Sequence, residues 1–203
     1  AFIMLIGLPE KRGILYGLQP SLARVYRVIE IEKLSDEEVL EFLSQAFESA
    51  NIKVEKEAMD LMVIFSSGLP LLMHEIGDAT FWIDTDGIID KKDTLQGILT
   101  AAENVGQKYL VPKVYKSIRS PLYRSILRKF RDGEKLHPRN FKKKEVEARL
   151  TDREKKVFPD FLRRMKKLGV VEVDIEGGAG AYRFVNEIYP VYIWMESEKS
   201  RTS

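Results

Sequence analysis

The fold of the second half of the chain is decided by residues 151–185, TDREKKVFPDFLRRMKKLGVVEVDIEGGAGAYRFV. Up to residue 168, apolar side chains recur every three or four positions, which predicts an amphipathic helix that buries one face. The members of this apolar stripe are Val157, Phe158, Phe161, Leu162, Met165 and Leu168. Basic residues lie off the stripe, so we expect the helix to present a basic face to solvent. Pro159 stands inside it and predicts either a kink or a boundary between two shorter helices.

The pattern of a β-hairpin follows this helix. Residues 170–175 alternate in polarity and residues 182–185 return as the partner strand, with Gly177, Gly178 and Gly180 at the turn between them. A glycine loop that binds phosphate joins a strand to a helix. Because these glycines join two strands, we interpret them as the tip of a wing.

Helical signals also precede the quoted stretch. One helix is predicted over 121–130, with Pro121 at its first position, and a second over 143–150. Three helices followed by a hairpin are typical of a winged helix-turn-helix. We therefore predict a winged-helix domain over residues 113–203, with its third helix as the recognition helix.

Charge is unevenly distributed along the chain. Residues 1–112 carry 10 basic and 18 acidic side chains, whereas residues 113–203 carry 23 and 13. Residues 113–167 alone carry 20 basic and 7 acidic side chains. An excess of this size indicates a polyanionic partner, for which duplex DNA is the leading candidate. The alternative is that lysine and arginine only solvate exposed helix faces.

Composition excludes several kinds of chemistry. Cysteine is absent from the 203 residues, which excludes disulfides, zinc fingers, iron–sulfur clusters and thiol nucleophiles. The two histidines, His74 and His137, have no third ligand nearby in the sequence, so we expect neither a metal site nor a catalytic residue. No apolar run reaches the length of a transmembrane helix, and the apolar start is too short for a signal peptide. We therefore expect a cytoplasmic protein without a membrane partner.

Two apolar runs near the N-terminus predict strands. Residues 2–6 form a continuous apolar run ended by Gly7 and Pro9, which is typical of a strand buried on both faces of a parallel sheet. Residues 25–31 show a second β-like pattern. Two strands cannot build a doubly covered sheet, so we expect the chain to be a fragment whose sheet is truncated.

The segment between these strands and the basic half is predicted to be a small helical bundle over residues 34–112. Ser35 and Glu38 match a capping box at the start of the first helix. Four helices are predicted, over 36–50, 55–67, 70–82 and 91–111. Gly68 is expected to close the second, and Pro112 to end the fourth.

The order of these elements carries a resemblance. Together with the segment SLARVYRVIEIEKLSDEE at 21–38 and the motif SGLPL at 67–71, it resembles the C-terminal two thirds of archaeal AAA+/STAND-type ATPases, including archaeal origin-recognition initiators. The resemblance implies the remnant of an α/β P-loop NTPase sheet over 1–33, a helical lid domain over 34–112 and the winged helix. The expected fold class is thus mainly α with a small β component.

The resemblance also implies that the chain is a C-terminal fragment of an ATP-dependent DNA-binding protein, with a lid that contributes to adenine-nucleotide binding and a winged helix that binds duplex DNA. By position, Gly68, Leu69 and Pro70 would approach the adenine. Arg24 or Arg27 would face a phosphate, which in a homo-oligomer of the full-length protein could be that of a neighbouring subunit.

Two features depart from the family pattern. Residues 6–9 lack the polar sensor residue, and Gly77-Asp78-Ala79-Thr80 lacks the arginine that initiators carry after it, so we expect phosphate sensing to be degenerate. The motif Gly-x-x-x-x-Gly-Lys-Ser/Thr does not occur in the sequence. ATP or ADP with Mg²⁺ is therefore expected as the cofactor of a full-length ATPase, and neither a cofactor nor ATP hydrolysis is expected of this chain.

The expected DNA contacts are basic residues at the approach to the second helix, on the third helix and on the returning strand of the hairpin. They are Lys142, Lys143, Lys144, Lys156, Arg163, Arg164, Lys167 and Arg183. The alternative function is a STAND-type, ATP-switched protein in which the winged helix is a protein-interaction module. A basic recognition face favours DNA over that alternative.

Overall fold

The computed structural model describes residues 4–7, 9–116, 120–130 and 139–202. The chain divides into two compact units, Ala1–Glu32 and Lys33–Ser203. The described residues are mainly helical, and their strands form one two-stranded and one three-stranded sheet. The expected fold class, mainly α with a small β component, is confirmed.

The N-terminal unit contains helices α1 (Pro9–Leu18) and α2 (Leu22–Val25) and, in its described part, no strand. The strands predicted over 2–6 and 25–31 are therefore wrong wherever the structure describes the chain; residues 2 and 3 lie outside the described residues. A strand needs a neighbour that satisfies its backbone hydrogen bonds, and the described part of this unit holds no second strand. The predicted inward-facing side chains are exposed as a result, and Ile31 is 94% exposed.

The larger unit begins with a bundle of four helices. They are α3 (Asp36–Ser49), α4 (Lys56–Ser66), α5 (Pro70–Ile83) and α6 (Lys91–Val105). The predicted capping box is present, because the Ser35 hydroxyl accepts a hydrogen bond from the Glu38 N–H and the Glu38 carboxylate accepts one from the Ser35 N–H. Asp90 and Asp93 form an equivalent box at the start of α6. Short strands β1 (Lys53–Val54) and β2 (Ile88–Ile89) pair in parallel beside these helices.

Helix α6 does not end at Pro112, and that prediction is wrong. The chain continues beyond α6 as a π-helical segment, Gly106–Tyr115, and Lys116 N–H donates to the Val111 carbonyl five residues earlier at 2.9 Å. Proline removes one backbone donor from such a segment. Tertiary packing outweighs that loss, because Leu110 and Val114 from the same segment are fully buried in the core.

A second group of elements completes the fold. It consists of α7 (Pro121–Arg128), β3 (Asn140–Lys142), α8 (Lys143–Glu147), α9 (Asp152–Lys167), β4 (Val171–Val173) and β5 (Ala181–Phe184). The predicted hairpin is confirmed as β4 and β5, and β3, which the sequence did not predict, pairs antiparallel with the other edge of β5. The helix predicted over 143–150 is shorter and ends at Glu147.

Aromatic rings fill the space between the sheet and the helices of this second group. Phe130 packs edge-on against Phe141, with ring centroids 4.8 Å apart, and also contacts Phe158, Phe161 and Phe184. Helix α9 remains a single helix through Pro159. The helix tolerates this residue because Pro159 lies on the exposed side, while Phe158 and Phe161 anchor the opposite side in the core.

The last helix, α10 (Ile188–Thr202), was not predicted. Asn186 caps its start, because the side-chain oxygen accepts hydrogen bonds from the N–H groups of Ile188 and Tyr189. Helix α10 packs against α6, the π-helical segment and α7. Tyr192, fully buried, lies directly on Gly106, where a Cβ atom would overlap its ring. The last helix thus joins the four-helix bundle to the second group of elements.

Candidate nucleic-acid interface

Helix α9 begins at a capping box. The Thr151 hydroxyl accepts a hydrogen bond from the Glu154 N–H, and the Glu154 carboxylate accepts bonds from the Thr151 N–H at 2.7 Å and the Thr151 hydroxyl at 2.8 Å. Five residues of the helix are buried: Glu154, Phe158, Phe161, Leu162 and Met165. Their spacing places them on one side, so the orientation of the opposite side toward solvent is fixed by packing.

Glu154 also connects α9 to α7. Its carboxylate accepts a hydrogen bond from the Ser125 hydroxyl at 2.6 Å and forms an ion pair with the ammonium of Lys129. Burial alone would raise the pKa of Glu154, but the hydrogen bonds from Lys129, Ser125 and Thr151 outweigh burial and lower the pKa to about 2. Glu154 is therefore ionised at neutral pH and holds the start of α9 in place. The sequence signal for it was the Thr-x-x-Glu spacing of a capping box.

The exposed side of α9 is strongly basic. Its exposed cations are Arg153, Lys155, Lys156, Arg163, Arg164, Lys166 and Lys167, and its exposed acids are Asp152 and Asp160. We call this surface the basic face. All four contacts predicted on the third helix lie on it. Arg153, Lys155 and Lys166 were not predicted, although the same helical periodicity places them at the margins of the face.

One line of side chains runs along the middle of the basic face. Lys156, Asp160, Arg163 and Lys167 follow one another at intervals of four, three and four residues, which places them on one line of an α-helix. Arg163 Nη1 and Asp160 Oδ1 lie 3.0 Å apart, and both side chains are mostly exposed. The centre of the basic face is therefore an ion pair flanked by two lysines.

The three predicted lysines lie at the end of β3 and the start of α8, beside the turn of the hairpin. Lys142 is the last residue of β3, and the N–H of Lys143 donates to the Gly180 carbonyl at 2.9 Å. Lys142 and Lys144 are exposed. Lys143 is half-buried and forms an ion pair of 3.3 Å with Glu147 one turn later. Two of the three predicted contacts are thus fully accessible to a partner.

Arg183 differs from the other predicted contacts. It lies opposite Glu172 across the hairpin, and its Nε donates to Glu172 Oε1 at 2.6 Å. This hydrogen bond, with further support from the charges of Asp174 and Glu176, raises the pKa of Arg183. The hairpin therefore carries three carboxylates and one cation, so its net charge is negative. A surface that binds a DNA phosphate would need a positive net charge.

The residues predicted to approach an adenine form a tight turn between α4 and α5. Gly68 has φ +67°, its carbonyl accepts a 2.9 Å hydrogen bond from the Leu34 N–H, and a Cβ atom there would overlap the Leu34 carbonyl oxygen. Leu69 is half-buried, and Pro70 is the exposed first residue of α5. Packing and helix termination thus account for Gly68 and Pro70.

The turn at Gly68 is also connected to the end of β5. Ser67 Oγ accepts a hydrogen bond from the Glu187 N–H at 3.0 Å, and Glu187 lies 3.7 Å from Arg139 in an ion pair. Lys33, whose pKa is lowered by burial and by the charge of Arg139, approaches the Val185 carbonyl at 3.5 Å. Sequence analysis missed this cluster, because its members meet only through tertiary packing.

Arg24 and Arg27, the residues predicted to face a phosphate, belong to the N-terminal unit. Both are exposed, Arg24 in the last turn of α2 and Arg27 in the extended residues that follow.

No protein-family model matches this sequence, and a search of curated proteins gives no significant match. Among the helices in the described part of the chain, none is both long enough and apolar enough to cross a bilayer.

Proposed function

We propose that this chain binds duplex DNA through the basic face of α9, with residues 113–203 serving as a winged helix. The order α7, β3, α8, α9, β4, β5 supports the proposal, because a winged helix has a strand after its first helix and a hairpin after its third. The sheet order β3-β5-β4, with all pairs antiparallel, fits the same arrangement.

The observation that carries the proposal is the segregation of charge on α9. Seven exposed cations share the surface of one helix with two exposed acids. If these charges only solvated the helix, an even mixture of acidic and basic side chains would serve equally well. A predominantly positive surface, on a helix held in place by its buried side, releases counterions when it contacts a polyanion.

The shape of this surface favours DNA over RNA. Helix α9 has 16 residues and is about 24 Å long. The major groove of B-form DNA, about 12 Å wide, admits an α-helix. The major groove of A-form RNA is too narrow and deep for side chains on a helix to reach the bases.

A titration of labelled duplex DNA at several salt concentrations tests this proposal. If the four predicted cations of α9 each release about 0.9 counterion, log affinity falls with log salt with a slope of about −3.6. Affinity then drops by about a hundredfold between 50 and 200 mM salt. Affinity that is independent of salt, or absence of binding at low salt, would refute the proposal.

A nucleotide-binding role for Gly68, Leu69, Pro70, Arg24 and Arg27 stays a prediction. The chain geometry supplies another reason for the glycine and the proline, because they end α4 and begin α5. Equilibrium dialysis with radiolabelled ATP tests this role directly. We therefore limit the proposed function of this chain to nucleic acid.

A further inference from the structure

The basic face contains one acidic residue, Asp160, whose position is not explained by stabilisation of the helix start. Asp152 and Glu154 lie in the first turn of α9, where free N–H groups and the helix dipole stabilise negative charge. Asp160 lies in the middle of the helix, beyond the reach of that effect. Aspartate is also among the poorer helix formers at such a position.

The ion pair with Arg163 is too weak to account for Asp160. Exposed pairs three residues apart on a helix contribute little to stability, and less at physiological salt. A carboxylate at the centre of a surface that binds phosphates opposes that binding. The position of Asp160 between Lys156 and Arg163 therefore indicates a function that offsets the loss of affinity for phosphates.

We propose that the Asp160–Arg163 ion pair reads a G·C base pair in the major groove, an inference that rests on the proposed DNA-binding function. Guanine presents two acceptors there, O6 and N7, which match the planar fork of an arginine. Cytosine presents the N4 amino group, a donor that a carboxylate accepts. Arg163 has five N–H donors, so it can hold Asp160 and guanine together.

The same pair discriminates against an A·T base pair. Adenine has an amino group as well, but the N7 acceptor beside it repels a carboxylate, and thymine offers a single acceptor and a methyl group. Asp160 would then face a lone pair or a methyl group with its hydrogen-bonding capacity unmet. Lys156 and Lys167, at the two ends of the line, supply phosphate contacts that do not depend on sequence.

The test compares two labelled duplexes of equal length, one of alternating A·T pairs and one of alternating G·C pairs, at a fixed salt concentration. The parent protein is expected to prefer the G·C duplex by about fivefold or more, the lower end of the range for one specific base contact. Asp160→Asn is expected to bind the A·T duplex more tightly than the parent and to lose most of the preference. Arg163→Lys keeps the charge but not the fork, so it should retain A·T affinity and lose the preference.

Asp152→Asn is the matched control, because it removes the same charge from the same line of α9 at the helix start. It should raise affinity for both duplexes without changing their ratio. An unchanged ratio in Asp160→Asn, an equal loss of preference in Asp152→Asn, or a parent protein that binds both duplexes equally would overturn the base-reading role and leave DNA binding intact. A parent protein that binds neither duplex would overturn both.

Discussion

The carboxylate of Glu154 accepts a hydrogen bond from the ammonium of Lys129, and only 3% of Glu154 is exposed to solvent. This contact joins the first turn of α9 to the residue that follows α7. The orientation of α9 determines where each exposed cation of the basic face points. The pair between buried Glu154 and half-buried Lys129 therefore helps to hold the proposed DNA surface in place.

Low pH should lower the free energy of unfolding by protonating Glu154. Its pKa is about 2 in the folded chain and close to 4.5 when unfolded. The ionised carboxylate therefore stabilises the fold fully above pH 4.5, and this contribution disappears as the pH falls toward 2. Its size is on the order of 3 kcal/mol in the free energy of unfolding. Urea unfolding at a series of pH values measures it.

Glu154→Gln removes the group that titrates. The variant should be less stable at neutral pH by about 2 kcal/mol or more, because Lys129 loses its buried partner. It should also lose most of the decline in stability below pH 4.5. Asp152→Asn, at an exposed position of the same turn, is the control and should leave that decline unchanged. A decline of equal size in Glu154→Gln would show that other groups cause it.

The contact between Gly106 and Tyr192 should tolerate no added methyl group. Gly106 has helical backbone angles, so Gly106→Ala is free of conformational strain and its cost comes from overlap with the Tyr192 ring. The expected loss is about 1–3 kcal/mol in the free energy of unfolding. Gly77→Ala serves as the comparison, because its methyl would meet only the flexible end of Leu43 at 3.3 Å. Thermal unfolding of both variants decides the matter, and equal melting temperatures would contradict the packing described here.

Arg183 should contribute little to DNA binding. Its charge is matched by Glu172 at 2.6 Å, and the hairpin around it is acidic. We expect Arg183→Gln to leave the salt slope of duplex affinity unchanged within error, whereas Lys156→Gln should reduce it by up to about 0.9. Anisotropy titrations of the two variants give this comparison. A larger loss in Arg183→Gln would place the hairpin against the phosphates.

Local signals in the sequence predicted the helices well. The capping box at Ser35 involves residues three positions apart, and α3 begins where that box places it. Helix α9 begins at Asp152, one residue after its predicted start. The basic face followed from the same logic, because helical periodicity alone assigns Lys156 and Arg163 to one side.

Features that depend on distant residues were missed. The apolar run over 25–31 resembles a strand, but no neighbouring strand pairs with it in the described part of the unit. Helix α10 has no clear apolar stripe and contains Pro190, which its first turn accommodates because a residue there needs no N–H for a helical hydrogen bond. The neutralisation of Arg183 depends on the register of β4 against β5, which the sequence does not specify.

The central claim is that cations on the exposed side of α9 bind duplex DNA, and Arg163→Ala/Arg164→Ala tests it most directly. Both side chains are exposed, so circular dichroism and melting temperature should match the parent. Lys56→Ala/Lys92→Ala is the control, since it removes two exposed lysines from α4 and α6. The measurement is the slope of log affinity for a labelled duplex against log salt. We predict that this slope shrinks by up to about 2 in the arginine variant and stays at the parent value in the lysine variant. An arginine variant that is folded and binds duplex DNA with the affinity and slope of the parent would contradict the account.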